Sequence, residues 1–163
     1  MNTERPARKK NRLENYDYAS CGAYFVTICV ALSDICLWEN VGANIVRPRL
    51  SHIGKHVRQA LENIDSAYPN VTVAKYCIMP DHLHVILFLH PDEDGRTMFA
   101  PTLSRVIKQF KGFVTKQIGF SIWQKSFYDR ILRNEKEYRN AWQYIQDNPI
   151  KWIAQHCDDT SIT

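Results

Sequence analysis

Apolar positions recur along this chain with two periods, near two and near 3.6, and the switches between them mark out the elements. Residues 24–30 are aromatic and β-branched after the breaker Gly22 and predict a first strand. Residues 37–40 and 45–50 flank Gly42, Ala43 and Asn44 and predict a small hairpin, with Pro48 placing its second arm at a sheet edge. Over residues 54–67, Val57, Leu61 and Ile64 fall at helical spacing, with Ser51 as the cap and Tyr68-Pro69 as the stop. Residues 71–79 and 83–89 read as two antiparallel strands joined at Pro80-Asp81. On the second of these, Leu83, Val85, Leu87 and Leu89 share an apolar face and His82 and His84 open the other.

Beyond a Gly/Pro-containing acidic loop at 91–101, a helix is predicted from Thr102 or Pro101 to about Ile118, with Leu103, Val106, Ile107, Phe110 and Val114 on one side. A short aromatic segment at 122–128, taken as a short strand, leads to the last helix. Asn134 with Glu137 makes a capping-box pattern there, and Pro149 marks the predicted end. Tyr138, Ala141, Trp142 and Ile145 form its apolar stripe, with Tyr144 and Asn148 together at the margin. A tyrosine at that margin can bury a ring edge and present its hydroxyl to a neighbouring surface. The order β, hairpin, α, β, β, α, short β, α predicts an α+β fold: a central antiparallel sheet with helices packed mainly on one face.

The 163 residues suffice for one domain, expected over 16–152 between a flexible basic arm at 1–15 and a short tail at 153–163. No apolar run approaches the ~18 residues of a membrane span, and the polar, basic first dozen residues do not resemble an export signal. Five scattered cysteines without a Cys-x-x-Cys pair fit reduced thiols, so a cytoplasmic protein is expected. The net charge of +4 leans only mildly toward polyanions; its clustering in the arm and over 105–116 is the more pointed feature. Arg12, Arg47, Lys108, Lys111, Lys125, Arg130 and Arg133 are the candidate phosphate-backbone contacts, and Trp123, Phe127 or Tyr128 could stack unpaired bases.

The chemistry centres on His82 and His84. Alternate side chains of a strand share a face, so the two imidazoles can hold one divalent ion between them. Asn148, one helical turn from Tyr144, is a potential third ligand. Two imidazoles and an amide oxygen leave positions open for phosphate oxygens on Mg²⁺ or Mn²⁺, whereas a closed zinc site needs a fourth protein ligand, for which Cys77 is the candidate. A phenol, with a pKa of about 10, is a poor nucleophile at neutral pH unless a cation stabilises the charge that develops on the phosphate. Tyr128 is the rival to Tyr144. A silent nucleic-acid binding module and a metallohydrolase using bound water are the competing readings.

Several segments together resemble one family. They are Arg12-Leu13 with Tyr16-Asp17-Tyr18, Gly22-Ala23-Tyr24-Phe25-Val26-Thr27, Met79-Pro80-Asp81-His82-Leu83-His84, Trp123-Gln124 with Phe127-Tyr128-Asp129-Arg130, and Tyr144-Ile145 with Asn148-Pro149-Ile150-Lys151. Spread over residues 12–152, they resemble the REP-associated tyrosine transposases, relatives of the IS200/IS605 transposases in the HUH superfamily. The resemblance implies a ferredoxin-like HUH domain that cuts and rejoins single-stranded DNA beside a hairpin or inverted repeat through a 5′-phosphotyrosine. It makes Tyr144 the nucleophile, and His82, His84 and Asn148 the ligands of Mg²⁺ or Mn²⁺. It also implies a monomer or homodimer.

Overall fold

The two most regular period-two stretches pair with each other. In the computed structural model, which describes residues 21–39, 48–91 and 101–157, β4 (Val71–Ile78) runs antiparallel to β5 (His82–Leu89), with a bulge between Val73 and Lys75. β1 (Gly22–Cys29) lies along the other side of β5, and β6 (Tyr128–Leu132) closes the order β4-β5-β1-β6, antiparallel throughout. A separate two-stranded ribbon joins β2 (Trp38–Glu39) to β3 (Arg49–Leu50). The helices are α1 (His52–Glu62), the short α2 (Ile64–Ala67), α3 (Leu103–Ile118) and α4 (Glu135–Cys157). This is the ferredoxin-like α+β arrangement.

Side-chain alternation gives the sheet two apolar faces. Tyr24, Val26 and Ile28 of β1 with Leu83, Val85 and Leu87 of β5 are buried against α1 and α3. The five apolar α3 positions read from the sequence, Leu103, Val106, Ile107, Phe110 and Val114, are all buried there. On the opposite face Ala23, Cys77 and Ile86 are buried with Ala141 and Ile145 of α4. Two of the three long helices thus share one face, and α4 crosses the other. The face that carries His84 is therefore apolar too, at Ile86, where α4 covers it.

Several boundaries differ from the sequence expectation for physical reasons. β1 starts at Gly22, because its register with β5 extends to the Gly22–Leu89 pair. The 54–67 helix is two helices broken at Asn63, whose N–H reaches back to the carbonyls of Gln59 and Leu61. The last strand falls at Tyr128–Leu132 rather than 122–128: the aromatic segment contributes only a single bridge, Val30 to Trp123, before the chain meets the edge of β1. Pro149 does not end α4. Proline removes one helical N–H, but Trp152 and Ile153 beyond it pack on the second core cluster and hold the helix in line to Cys157. The 1–15 arm, Arg12, Arg47 and residues 45–47 of the second hairpin arm lie outside the described residues. Among the described residues no helix is long and apolar enough to cross a membrane.

Ser51 caps α1 as read from the sequence. Its hydroxyl accepts the Gly54 N–H at 3.1 Å and donates to the Cys36 carbonyl at 2.8 Å, tying the helix start to the 35–37 loop. That loop passes so close to α1 that a Cβ on Gly54 would stand 2.1 Å from the Leu37 carbonyl oxygen. Gly54→Ala is expected to destabilise the fold despite alanine's better helix propensity of about 1 kcal/mol. The steric cost of about 3 kcal/mol is larger and acts on backbone rather than on a side chain that can swing away. Thermal denaturation should show a midpoint lower by roughly 5 °C.

Candidate active site

The turn between β4 and β5 is held from three sides. Met79 N–H reaches the His82 carbonyl across it at 2.8 Å, Val30 N–H binds the Asp81 carbonyl at 2.8 Å, and Leu37 N–H binds the Pro80 carbonyl at 2.8 Å. His82 and His84 leave this turn on one face of β5, beside Cys29 and Thr27 of β1 in the register. Their Nε2 atoms face each other at 3.1 Å.

Both outer nitrogens are occupied. Asp81 Oδ1 lies 2.7 Å from His82 Nδ1 and, being a carboxylate, accepts the ring N–H there. Thr27 Oγ1 lies 2.8 Å from His84 Nδ1. When both Nδ1 atoms carry protons, both Nε2 lone pairs point at the same small volume, the support that metal-bound histidines commonly receive. Two nitrogens on adjacent corners of an octahedron of about 2.1 Å radius lie about 3.0 Å apart. The pair fits two such positions.

Electrostatics act in the same direction. His84 is buried, and that burial, followed by the facing His82, pulls its imidazole down from 6.5 to about 4. It is uncharged at neutral pH, the state a metal ligand needs. The sign of the stability effect follows. Between 6.5 and about 4 the unfolded chain takes up a proton that folded His84 refuses, so stability present above pH 6.5 is lost as pH falls through that window. The metal-free protein should lose about 1–3 kcal/mol from this group between pH 7 and pH 4, read as a falling urea midpoint, and His84→Gln should remove that part of the slope.

Cys77 sits opposite His84 in the β4–β5 register, but burial pushes its thiol up to about 11, which keeps it protonated. Among the described residues no group of three or more His, Cys, Asp and Glu side chains converges. The described residues thus bring no set of four His, Cys, Asp or Glu ligands together around Cys77.

Tyr144 comes to the histidines from α4. Asn134 accepts the Glu137 N–H at 2.9 Å, and the Glu137 carboxylate accepts the Arg133 N–H at 3.0 Å, so the capping pattern fixes the helix start. Ala141 and Ile145 bury the adjacent stripe. Lys75 of β4 holds the same turns, its ammonium 4.7 Å from the Trp142 ring centre and hydrogen-bonded to Gln146 Oε1. Placed at the stripe's margin, Tyr144 has its ring edge-on to His84 at 5.2 Å between centroids and to Phe25 at 5.9 Å, and it remains 49% exposed. Phe25 in turn stacks on His84 at 5.2 Å.

These side chains border a cavity of about 500 Å³ lined by Phe25, Thr27, His84, Tyr128, Asp129, Arg130, Asn140, Ala141 and Tyr144. Tyr128, the rival nucleophile, is 52% exposed on β6 and lines this cavity as well. Asn148 is half-buried on α4 one turn after Tyr144 and makes no side-chain hydrogen bond among the described residues. Asn140, one turn before Tyr144, is the amide that lines the cavity.

Of the basic candidates among the described residues, Arg130 alone is a cavity residue, its guanidinium 5.9 Å from the Phe25 ring centre. Lys111 donates to the carbonyls of Gln124 and Ser126 at 2.8 and 2.9 Å and so fastens the loop before β6. Lys108 is exposed on α3, on the sheet face opposite α4; Lys125 and Arg133 are exposed in the loop before β6 and just before α4. Sequence reading missed Phe25, Thr27 and Asn140. The alternation of β1 could have given the first two, once the β1–β5 register set Thr27 opposite His84.

Known proteins are similar to this chain in sequence and in fold. A protein of Haemophilus influenzae with no assigned function is 32% identical over 164 residues, covering 89% of each chain. A second H. influenzae protein, named "Putative REP-associated tyrosine transposase", is 28% identical over 149 residues, covering 85% of this chain and 77% of its own. A solved REP-associated tyrosine transposase bound to a REP hairpin superposes with a TM-score of 0.60 at 25% identity, covering 80% of this chain and 67% of that one. No protein-family model matches the chain.

Proposed function

We propose that the chain, which is similar to REP-associated tyrosine transposases, belongs to that family and is a metal-dependent endonuclease and strand transferase acting on single-stranded DNA beside a hairpin or inverted repeat. The observation that carries this reading is the packing of the Tyr144 ring against His84, at 5.2 Å, where the two histidine Nε2 atoms converge at 3.1 Å. Binding alone requires no phenol beside an imidazole pair.

In this reading Tyr144 Oη attacks the scissile phosphorus while the bond to the 3′-oxygen breaks in line with it. The phenolic proton is lost and the departing 3′-hydroxyl gains one, leaving the 5′-phosphate esterified to Tyr144. The ester conserves the energy of the broken bond, so a 3′-hydroxyl can attack it and release the phenol, rejoining the strand. His82, His84 and Asn148 are the groups that would hold Mg²⁺ or Mn²⁺, which when bound polarises the non-bridging phosphate oxygens. Asp81 and Thr27 keep the two imidazoles oriented. Burial keeps His84 neutral. The relative bound to a REP hairpin supports a folded hairpin as the recognised element.

The test is a covalent trap. Labelled hairpin single strands mixed with the protein and Mn²⁺ should give an adduct stable to denaturant, and chelation should prevent it. Hairpin binding indifferent to chelator, with no adduct under any divalent ion, would return the chain to the class of silent binding modules.

A further inference from the structure

The cavity beside Tyr144 is lined by His84 but also by residues of β6 and α4, and its Tyr128 and Asn140 side has no part in the chemistry proposed above. Its floor is Phe25, Thr27 and Ala141; one wall is the β6 edge, with Tyr128 and Arg130, and the other is α4, with Asn140 and Tyr144. At about 500 Å³ it lies within the range of pockets that enclose a whole small molecule, roughly 300–1,000 Å³. A phosphate placed for attack by Tyr144 must sit at its mouth, so the neighbouring nucleotide goes either into this space or out into water.

We propose that the cavity is a subsite for one unpaired purine base of the strand that Tyr144 cuts, stacked on Tyr128 and read along its edge by Asn140 and Arg130. This rests on the transferase reading above.

Three features carry it. Tyr128 is 52% exposed, a large apolar ring left open to solvent on a strand edge, and such rings serve as stacking platforms for any base. Asn140 presents an amide donor and acceptor side by side, with no hydrogen-bond partner among the described residues, and that pair complements the N6/N7 edge of adenine. Arg130 is the one cationic side chain among the described residues of the lining, able to meet either the O6/N7 edge of guanine or the adjoining phosphate. An amide alone would also fit the N3/N4 edge of an unpaired cytosine; the preference for a purine comes from the two-acceptor O6/N7 edge that the Arg130 fork can take and no pyrimidine offers. A base already paired in a stem would bring its partner strand against α4, so the occupant is unpaired.

The experiment uses the full chain in EDTA, so that cutting does not enter. A pool of DNA hairpins with a fixed stem and six randomised unpaired nucleotides on each flank is bound, and the retained fraction is sequenced. Purine should be enriched about fivefold or more at one flank position. In the double variant Asn140→Ala with Arg130→Ala that bias should fall below about twofold, and in Tyr128→Ala affinity for the enriched hairpin should drop about tenfold. With an abasic site at that position, wild type and Tyr128→Ala should bind alike. All three residues are exposed, so no substitution endangers the fold. Retention of hairpins with no purine bias, or with a bias unchanged in the double variant, overturns the subsite alone. Failure of the wild-type chain to retain any hairpin overturns the transferase reading and the subsite with it.

Discussion

If Tyr144 is the nucleophile, Tyr144→Phe is expected to abolish the covalent adduct and to lower strand cleavage by about 10⁴-fold or more, the scale seen when a nucleophile is removed outright. Hairpin affinity is expected to stay within about threefold, because contacts to the phosphate backbone supply most of the affinity of such complexes. The substitution removes one oxygen and keeps the ring, so the edge contacts to His84 and Phe25 persist and the fold is unchanged. Trapping with Mn²⁺ on a denaturing gel reads the first effect and a filter-binding titration the second. An adduct that survives in Tyr144→Phe and disappears in Tyr128→Phe would move the nucleophile to β6, on the other side of the same cavity.

His82→Ala and His84→Ala are each expected to lower cleavage by about a thousandfold, since loss of a Lewis acid forfeits several kcal/mol of transition-state stabilisation. Binding should fall far less. Asn148→Ala should be milder, because water replaces a neutral ligand readily on Mg²⁺. The two histidine variants differ in stability. His84 is buried and packs on Phe25, so its truncation also leaves a void under Tyr144, whereas His82 is only half-buried at the turn. Measuring cleavage rate, hairpin dissociation constant and melting midpoint for all three separates the effects. Equal losses of binding and cleavage would indicate unfolding and remove the catalytic assignment of the pair.

How much of this was legible in the sequence depended on whether a feature was local. The five buried positions of α3, the Ser51 and Asn134 caps and the marginal position of Tyr144 on α4 are written in residues a few places apart. The histidine pair is likewise a two-residue pattern. Features that arise from pairing were not readable. Thr27 meets His84 only because β1 lies beside β5, across 57 positions of chain, and Phe25 joins the site through the same register. Lys111 looked like one more basic contact on an amphipathic helix. Its partners are backbone carbonyls at 124 and 126, which no side-chain pattern announces. Pro149 misled because a local stop signal was outweighed by tertiary packing, the contact of Trp152 with Trp38 at 5.2 Å.

That proline divides α4 into two units of unequal tenacity. With no N–H at 149, the carbonyl of Ile145 has no helical donor, and the hydrogen-bond ladder is interrupted one residue after Tyr144. Upstream, the segment is fastened by its cap, by Ala141 and Ile145 in the core, and by Lys75. Downstream, it rests chiefly on Trp152, which leans on Trp38 and carries His156 stacked at 3.9 Å; Trp38 itself is anchored by its indole N–H on the Ile78 carbonyl at 2.7 Å. Local opening therefore has a natural boundary at Pro149. Backbone amides of 150–157 should exchange with solvent deuterium together and well ahead of those at 141–147, and Trp38→Ala should hasten the first group while leaving the second slow. The turn that carries Tyr144 should stay folded while its own helix frays beyond it.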